Sequence, residues 1–295
     1  MSQEKIAPSD LAPPPRPSRA GRNLSAAIAV GVGLFGAVVA TLAWWNWGFV
    51  LLVAVALSLG VVELHQAMQR VGARSEVVPI VLGTLATVLG SYWVGQRPAD
   101  HLPANTLIIG LLALSTLACL MLRLQGGSDG FIRDTSASLF TIAYIPLLGS
   151  TVALMLAGDL GRERIITFLT CVIASDTGGY IAGVLFGRHP MAPRVSPKKT
   201  WEGFAGSVLL AVLVGAVLAD WLLQAHWLVG ALMGLLLVGF GTAGDLVESN
   251  IKRDVGIKDM SSFLPGHGGV MDRLDSLLVA APVAWFAMFL MVPGG

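Results

Sequence analysis

The segment PGHGGVMDRLDS (265–276) places three glycines, a histidine, an arginine and two aspartates directly before the last long apolar run of the chain. A second charged cluster, GDLVESNIKRD (244–254), closes the apolar run before it. On a continuing helix Asp245, Glu248, Ser249 and Lys252 recur at i, i+3, i+4 and i+7 and share one face, and Asp272 and Asp275 stand at i and i+3. Two acidic pairs at the ends of consecutive apolar segments can converge on one cation. Oxygen ligands with few nitrogens and no sulfur favour Mg²⁺ over a transition metal. The same carboxylates have a plainer use, as loop salt bridges to Lys252, Arg253 and Arg273. Spacing alone does not choose between the two.

Cations accompany the carboxylates. RVSPKKTWEG (194–203) contributes Arg194, Lys198 and Lys199, and KRDVGIKD (252–259) contributes Lys252, Arg253 and Lys258. Anionic headgroups attract such loops by about 1 kcal/mol per cation, but that attraction does not explain interleaved carboxylates or glycine-rich turns. Carboxylates for Mg²⁺ and cations for phosphate oxygens are the ingredients of phosphoryl or nucleotidyl transfer. Gly266, Gly268 and Gly269 allow positive φ and a close backbone approach, leaving N–H groups for phosphate; the alternative is a turn that caps the following helix. His267 suits a proton carrier, a phosphate donor or a structural loop residue, and is not assigned as a general base. Ser196 and Thr200 suit phosphate hydrogen bonds or a helix cap equally. Asp176, in CVIASDTGGYIAGVLFG, is an acidic residue inside an apolar run and therefore a functional candidate. Asp220, beside Trp221, reads as a solvated interfacial residue.

The elements that must position these residues are membrane helices. The 295 residues are 55% hydrophobic and 13% charged, with a mean hydropathy of +0.74, whereas soluble domains average about 25% charged. At roughly 20 apolar residues per span, nine candidates emerge: 24–43, 48–67, 77–95, 105–123, 137–157, 165–187, 204–223, 227–248 and 274–292. WWNW (44–47) suits a membrane interface, Pro79 and Pro146 are tolerable within packed spans, and many of the 35 glycines imply close helix contacts. Of the 19 Lys and Arg residues, this alternation puts only Arg97, Arg162 and Arg164 outside. That bias predicts an inside N-terminus and an outside C-terminus. Cys119 and Cys171 lie in apolar runs, far from metal or disulfide spacing. Residues 1–23, Pro- and Arg-rich, read as a disordered cytoplasmic tail, and the run from Leu24 as a first span rather than a cleaved signal. The expected fold is an all-α polytopic bundle. It divides into the tail, an N-terminal packing, dimer and lipid-facing region (24–170), and a catalytic region (171–295) with cytoplasmic loops at 188–203 and 249–273.

The blocks SNIKRDVGIKD (249–259) and FLPGHGGVMDRLD (263–275) closely resemble the signature of the phosphatidate cytidylyltransferase (CDP-diacylglycerol synthase) family. ASDTGGYIAG (174–183), FGRHPMAPRVSPKKTWEG (186–203) and GDLVESNIKRD (244–254) support it. The resemblance is specific over 174–276 and architectural over 24–170. Met271 departs from it, standing where Leu is commoner. The resemblance implies a Mg²⁺-dependent, generally dimeric enzyme of the cell membrane that joins CTP to phosphatidic acid from the inner leaflet, with no nucleic-acid partner. Carried onto this chain, the metal carboxylates are Asp245 and Asp272, with Asp275 and Asp176 as further candidates. Lys252, Arg253 and Arg273 are expected to act with Asp245 and Asp272 in catalysis. Ser196, Lys198, Lys199, Thr200, Lys258, Asp259, Gly266, His267, Gly268, Gly269 and Asp176 are expected to contact the substrates, membrane lipid included. A second cation is compatible with the same site.

Two other classes compete. Nine spans with intramembrane Asp suit a transporter, although the charges cluster at one face and no inverted repeat is visible. A transferase that uses CDP-diacylglycerol would resemble a DGxxAR motif, which the sequence lacks.

Overall fold

The structure, a computed structural model, describes residues 24–97, 102–193 and 195–292, with side chains of the first helix from Ile28 onward. The tail expected at 1–23 lies outside the described residues. The helices are α1 (Leu24–Trp44), α2 (Asn46–Gln69), α3 (Val77–Gly95), α4 (Ala104–Leu124) and α5 (Phe131–Ala157), then α6 (Gly161–Phe186), α7 (Trp201–Trp221), α8 (Trp227–Asp254) and α9 (Met271–Met291). Helices α2 to α9 are each long and apolar enough to cross a bilayer, and α1 is apolar over Ile28–Trp44. The chain is thus a multi-pass membrane protein.

A helix lies at each of the nine expected spans, eight of them long and apolar enough to cross a bilayer among the described residues, and α5 and α8 extend furthest beyond what hydropathy alone marks. Helix α5 begins at Phe131 because its first turns, FIRDTSASL, are amphipathic: Asp134 is buried and accepts from the Arg74 amide (3.0 Å) and from Nε of Arg123 (3.2 Å) and Arg133 (3.1 Å). Pro146, which has no N–H to donate, is accommodated by a π-helical turn over Ala143–Leu147. Helix α8 continues past its apolar stretch to Asp254 with Lys252 and Arg253 in its last turn, where cations complement the helix dipole.

A short antiparallel ribbon is the exception to the all-α expectation. Strand β1 (Pro190–Ala192) pairs with β2 (Ser196–Thr200), Pro190 facing Thr200 and Ala192 facing Ser196. Glu202 pins its base, accepting from the amides of Arg188 (3.1 Å) and His189 (3.2 Å) and lying 2.5 Å from His189 Nδ1.

Helices α6, α7 and α8 pack backbone to backbone. A Cβ on Gly178 would lie 2.4 Å from the Gly206 carbonyl oxygen, and one on Gly234 would lie 2.4 Å from that of Ala211. Glycine is required at such approaches, the helix-packing mode expected in lipid. The loops after α2, α4, α6 and α8 gather at one end of the bundle, joined by the Arg74–Asp134, Lys199–Asp245 and Glu63–Ser261 contacts. At the other end Arg162 Nε donates to Asn46 Oδ1 at 2.7 Å.

Candidate active site

A cleft of about 250 Å³ opens between α6, α7, α8 and β2. Asp176, Lys198, Lys199, Thr200 and Asp245 line it, five residues singled out from the sequence. Strand β2 brings the lysines over the cleft, and Lys199 Nζ lies 2.5 Å from Asp245 Oδ2. Ser249 Oγ donates to Asp245 Oδ1 at 3.2 Å, as one helical face requires. Ser207 Oγ donates to the Ser175 carbonyl at 2.7 Å and so ties α7 to the turn that carries Asp176. Asp176 and Asp245 line the same cleft, and Ser276, the neighbour of Asp275, lines it too. The closeness of Asp245 and Asp275 has a backbone cause: a Cβ on Gly244 would lie 2.5 Å from the Asp275 carbonyl oxygen. Glycine at 244 thus lets α9 slide against α8, and Ser276 reaches the cleft wall.

The second half of the site lies across α8. Lys252 Nζ bridges Glu248 Oε2 (3.1 Å) and Asp272 Oδ1 (2.8 Å), the salt-bridge use of these carboxylates. Asp272 Oδ2 also accepts from the amides of Met260 (2.9 Å) and Gly269 (2.8 Å). Glu248 is 0% exposed. Its Oε1 has no hydrogen-bond partner among the described residues, and neither does the buried hydroxyl of Tyr144.

The glycine turn differs from its sequence expectation. Gly266 and Gly268 have φ of +77° and +82°, the left-handed region that favours glycine. The Gly269 amide, however, is not free for phosphate. It caps onto Asp272, while the amides of Val270 (2.9 Å) and Met271 (2.8 Å) donate to Glu63 of α2. Gly269 thus serves to cap α9, because amides at a buried helix start must find acceptors. Arg273 Nε donates to the His267 carbonyl at 3.1 Å and braces the turn, and a Cβ on Gly31 of α1 would sit 3.3 Å from the His267 ring. Arg253, Lys258 and Asp259 are exposed, outside the cleft lining, and form no ion pair among the described residues. Ser196 begins β2 outside the cleft lining.

Thr200 is likewise a cap: its Oγ1 accepts from the Gly203 amide at 3.1 Å at the start of α7. Thr200→Val is expected to lower stability by about 1 kcal/mol and to leave turnover within about twofold, since a one-kcal cap is remote from transition-state binding. Thermal unfolding beside an activity assay checks both. A tenfold fall in turnover at unchanged stability would assign the hydroxyl to substrate instead.

Among the described residues no three His, Cys, Asp or Glu side chains close on a point as a ready-made metal cage. Mg²⁺ does not need one: it takes one or two carboxylates and completes its octahedron with water and substrate phosphates. The all-oxygen donors around Asp245 and Asp275 and the unsatisfied Glu248 Oε1 fit that chemistry.

The sequence reading missed Glu63, Ser261 and Tyr144. Glu63 carried a usable signal, a carboxylate within an apolar helix, whereas Tyr144 carried none.

Comparison with known proteins gives the family. Residues 25–291 match the model of the cytidylyltransferase family. The chain is 39% identical to the phosphatidate cytidylyltransferase of Mycobacterium leprae over 292 residues, covering 92% of this chain and 90% of that one. It is 38% identical to the Mycobacterium bovis protein of the same name, covering 93% and 91%. The Staphylococcus epidermidis phosphatidate cytidylyltransferase is 36% identical over 177 residues, covering 59% and 66%. With a match that spans nearly all nine helices and both halves of the site, the chain belongs to the cytidylyltransferase family.

Proposed function

We propose that this protein transfers CMP from CTP to phosphatidate, forming CDP-diacylglycerol and releasing pyrophosphate. The observation that carries the reading is the cleft in which Lys198 and Lys199 face Asp245 and Asp176, in a chain whose relatives bear the name phosphatidate cytidylyltransferase. A phosphatidate oxygen attacks the α-phosphorus of CTP, a new P–O bond forms, and the bond to the β-phosphate bridging oxygen breaks. The nucleophile is already anionic at neutral pH, because a phosphomonoester's second pKa is about 6. No side chain then has to remove a proton.

The task left to the protein is to hold two anions together. Unit charges 4 Å apart repel by about 4 kcal/mol at an effective dielectric of 20. Lys198 and Lys199 offset that repulsion in the cleft, and Arg253 and Lys258 are further exposed cations for the phosphates. Asp245, Asp272 and Asp275 are the residues that would hold Mg²⁺, which when bound supplies charge neutralisation of the phosphates and of the leaving pyrophosphate. Asp272 would hold it in competition with Lys252, which donates to its Oδ1, whereas its Oδ2 accepts from two amides.

The bias of basic residues supports a site on the cytoplasmic face of the cell membrane, where CTP is present, with phosphatidate arriving sideways from the inner leaflet. The family resemblance adds a homodimer. CTP-dependent pyrophosphate release by purified protein with phosphatidate and Mg²⁺ tests the reading, and no release with any phosphatidate would sink it. Lys199→Ala is expected to raise KM for one substrate at least fivefold more than for the other, on the order of 1 kcal/mol of lost charge-assisted binding. That asymmetry, read from paired titrations, assigns the partner of Lys199.

A further inference from the structure

Glu63 stands six residues before the end of α2, some 200 residues from the carboxylates of the site, and is 5% exposed. Its Oε1 accepts from Ser261 Oγ at 2.6 Å and from the Val270 amide at 2.9 Å, and its Oε2 accepts from the Met271 amide at 2.8 Å. Among the described residues no cation pairs with it within salt-bridge distance. The charge is balanced instead by the positive end of α9, whose first amides it receives. Gly269 is fitted to the same carboxylate, since a Cβ there would lie 2.6 Å from Oε2 and 2.8 Å from Oε1. The next amide back in the turn, that of Gly269, goes to Asp272. Glu63 and Asp272 thus divide three consecutive amides of one turn.

We propose that Glu63 is a positioning residue of the transfer reaction, holding the Ser261–Met271 turn and the start of α9 so that Asp272 and Asp275 keep their bearing toward Asp245. This rests on the reading of Asp272 as a site residue. It makes the N-terminal helices part of the catalytic apparatus rather than only its packing. Glutamine at 63 retains shape and apolar contacts, but its amide nitrogen faces an N–H donor, so one of the three bonds must break.

The test pairs kinetics with amide hydrogen exchange on full-length protein in detergent. Glu63→Gln is expected to lower kcat roughly 10- to 100-fold, as small misplacements of reacting groups do, with KM for CTP and for phosphatidate each changing less than about threefold. Exchange protection of residues 262–271 should be lost in the same variant. Gly269→Ala strikes the contact from the other side and should give the same signature, and it decides the matter if Glu63→Gln does not fold. Because the two act on one contact, the double variant should cost no more than the worse single one. Parental kcat in Gly269→Ala, or unchanged protection over 262–271 in both variants, would overturn the proposal. Asp272→Asn run alongside separates the premises: normal turnover there removes Asp272 from the site, whereas an inactive Asp272→Asn beside a normal Glu63→Gln removes only the positioning role.

Discussion

Asp245→Asn is expected to reduce turnover by roughly a thousandfold or more, the scale of losing several kcal/mol of charge stabilisation from a metal-assisted transfer, while the protein still inserts and folds. Asparagine keeps the volume of Asp245 and can still accept from Ser249, but it removes the charge that faces Lys199 at 2.5 Å. That pair is partly open to the cleft, with side chains 25% and 33% exposed. Exposed pairs of this kind contribute at most about 1 kcal/mol to stability. Function and fold should therefore separate. Pyrophosphate release measures the first, and thermal unfolding in detergent measures the second. Near-normal turnover would take Asp245 out of the site.

Lys252→Met has the opposite profile, with its main effect on stability. Lys252 pairs with both Glu248 and Asp272, and those side chains are 0% and 5% exposed. Removing the cation leaves two buried acidic side chains without their shared partner, and breaking a buried pair from one side typically costs about 3–5 kcal/mol. Methionine preserves most of the side-chain volume, so packing contributes little to the loss. Denaturant unfolding in mixed micelles should show the decrease. Adding Glu248→Gln to Lys252→Met should recover part of it, because one unpartnered acid is then gone. If the double variant is less stable than Lys252→Met alone, that explanation is wrong.

How much of this was legible in the sequence depends on the distance over which each interaction acts. Spans were legible because a bilayer sets their length locally, and the face shared by Asp245, Ser249 and Lys252 follows from helical pitch. The ribbon at 190–200 was not legible, since a strand reading SPKKT has neither alternation nor β-branched content beyond its terminal Thr. The fate of the glycine-turn amides was also hidden. Whether Gly269 N–H serves phosphate or Asp272 depends on a side-chain rotamer, and whether Val270 and Met271 are free depends on a glutamate two hundred residues away. Thr200 and the carboxylates around Lys252 were each read as having two uses, and in the structure Thr200 caps α7 while Lys252 pairs with Glu248 and Asp272. The signal that an acid inside an apolar run matters was applied to Asp176 and applies with equal force to Glu63.

The glycine crossings of α6, α7 and α8 bear on how the enzyme meets membranes of different thickness. Helices joined through side chains can re-pack when a bilayer thickens or thins, but backbones already in contact at Gly178–Gly206 and Gly234–Ala211 leave nothing to re-pack. Hydrophobic mismatch is then absorbed by tilt of the three helices as one slab. The spacing of Asp176 and Asp245 stays constant under that tilt, while the height of the 190–200 ribbon above the headgroups changes. Lipid composition would in this way govern how readily a headgroup reaches the cleft and leave the transfer step itself untouched.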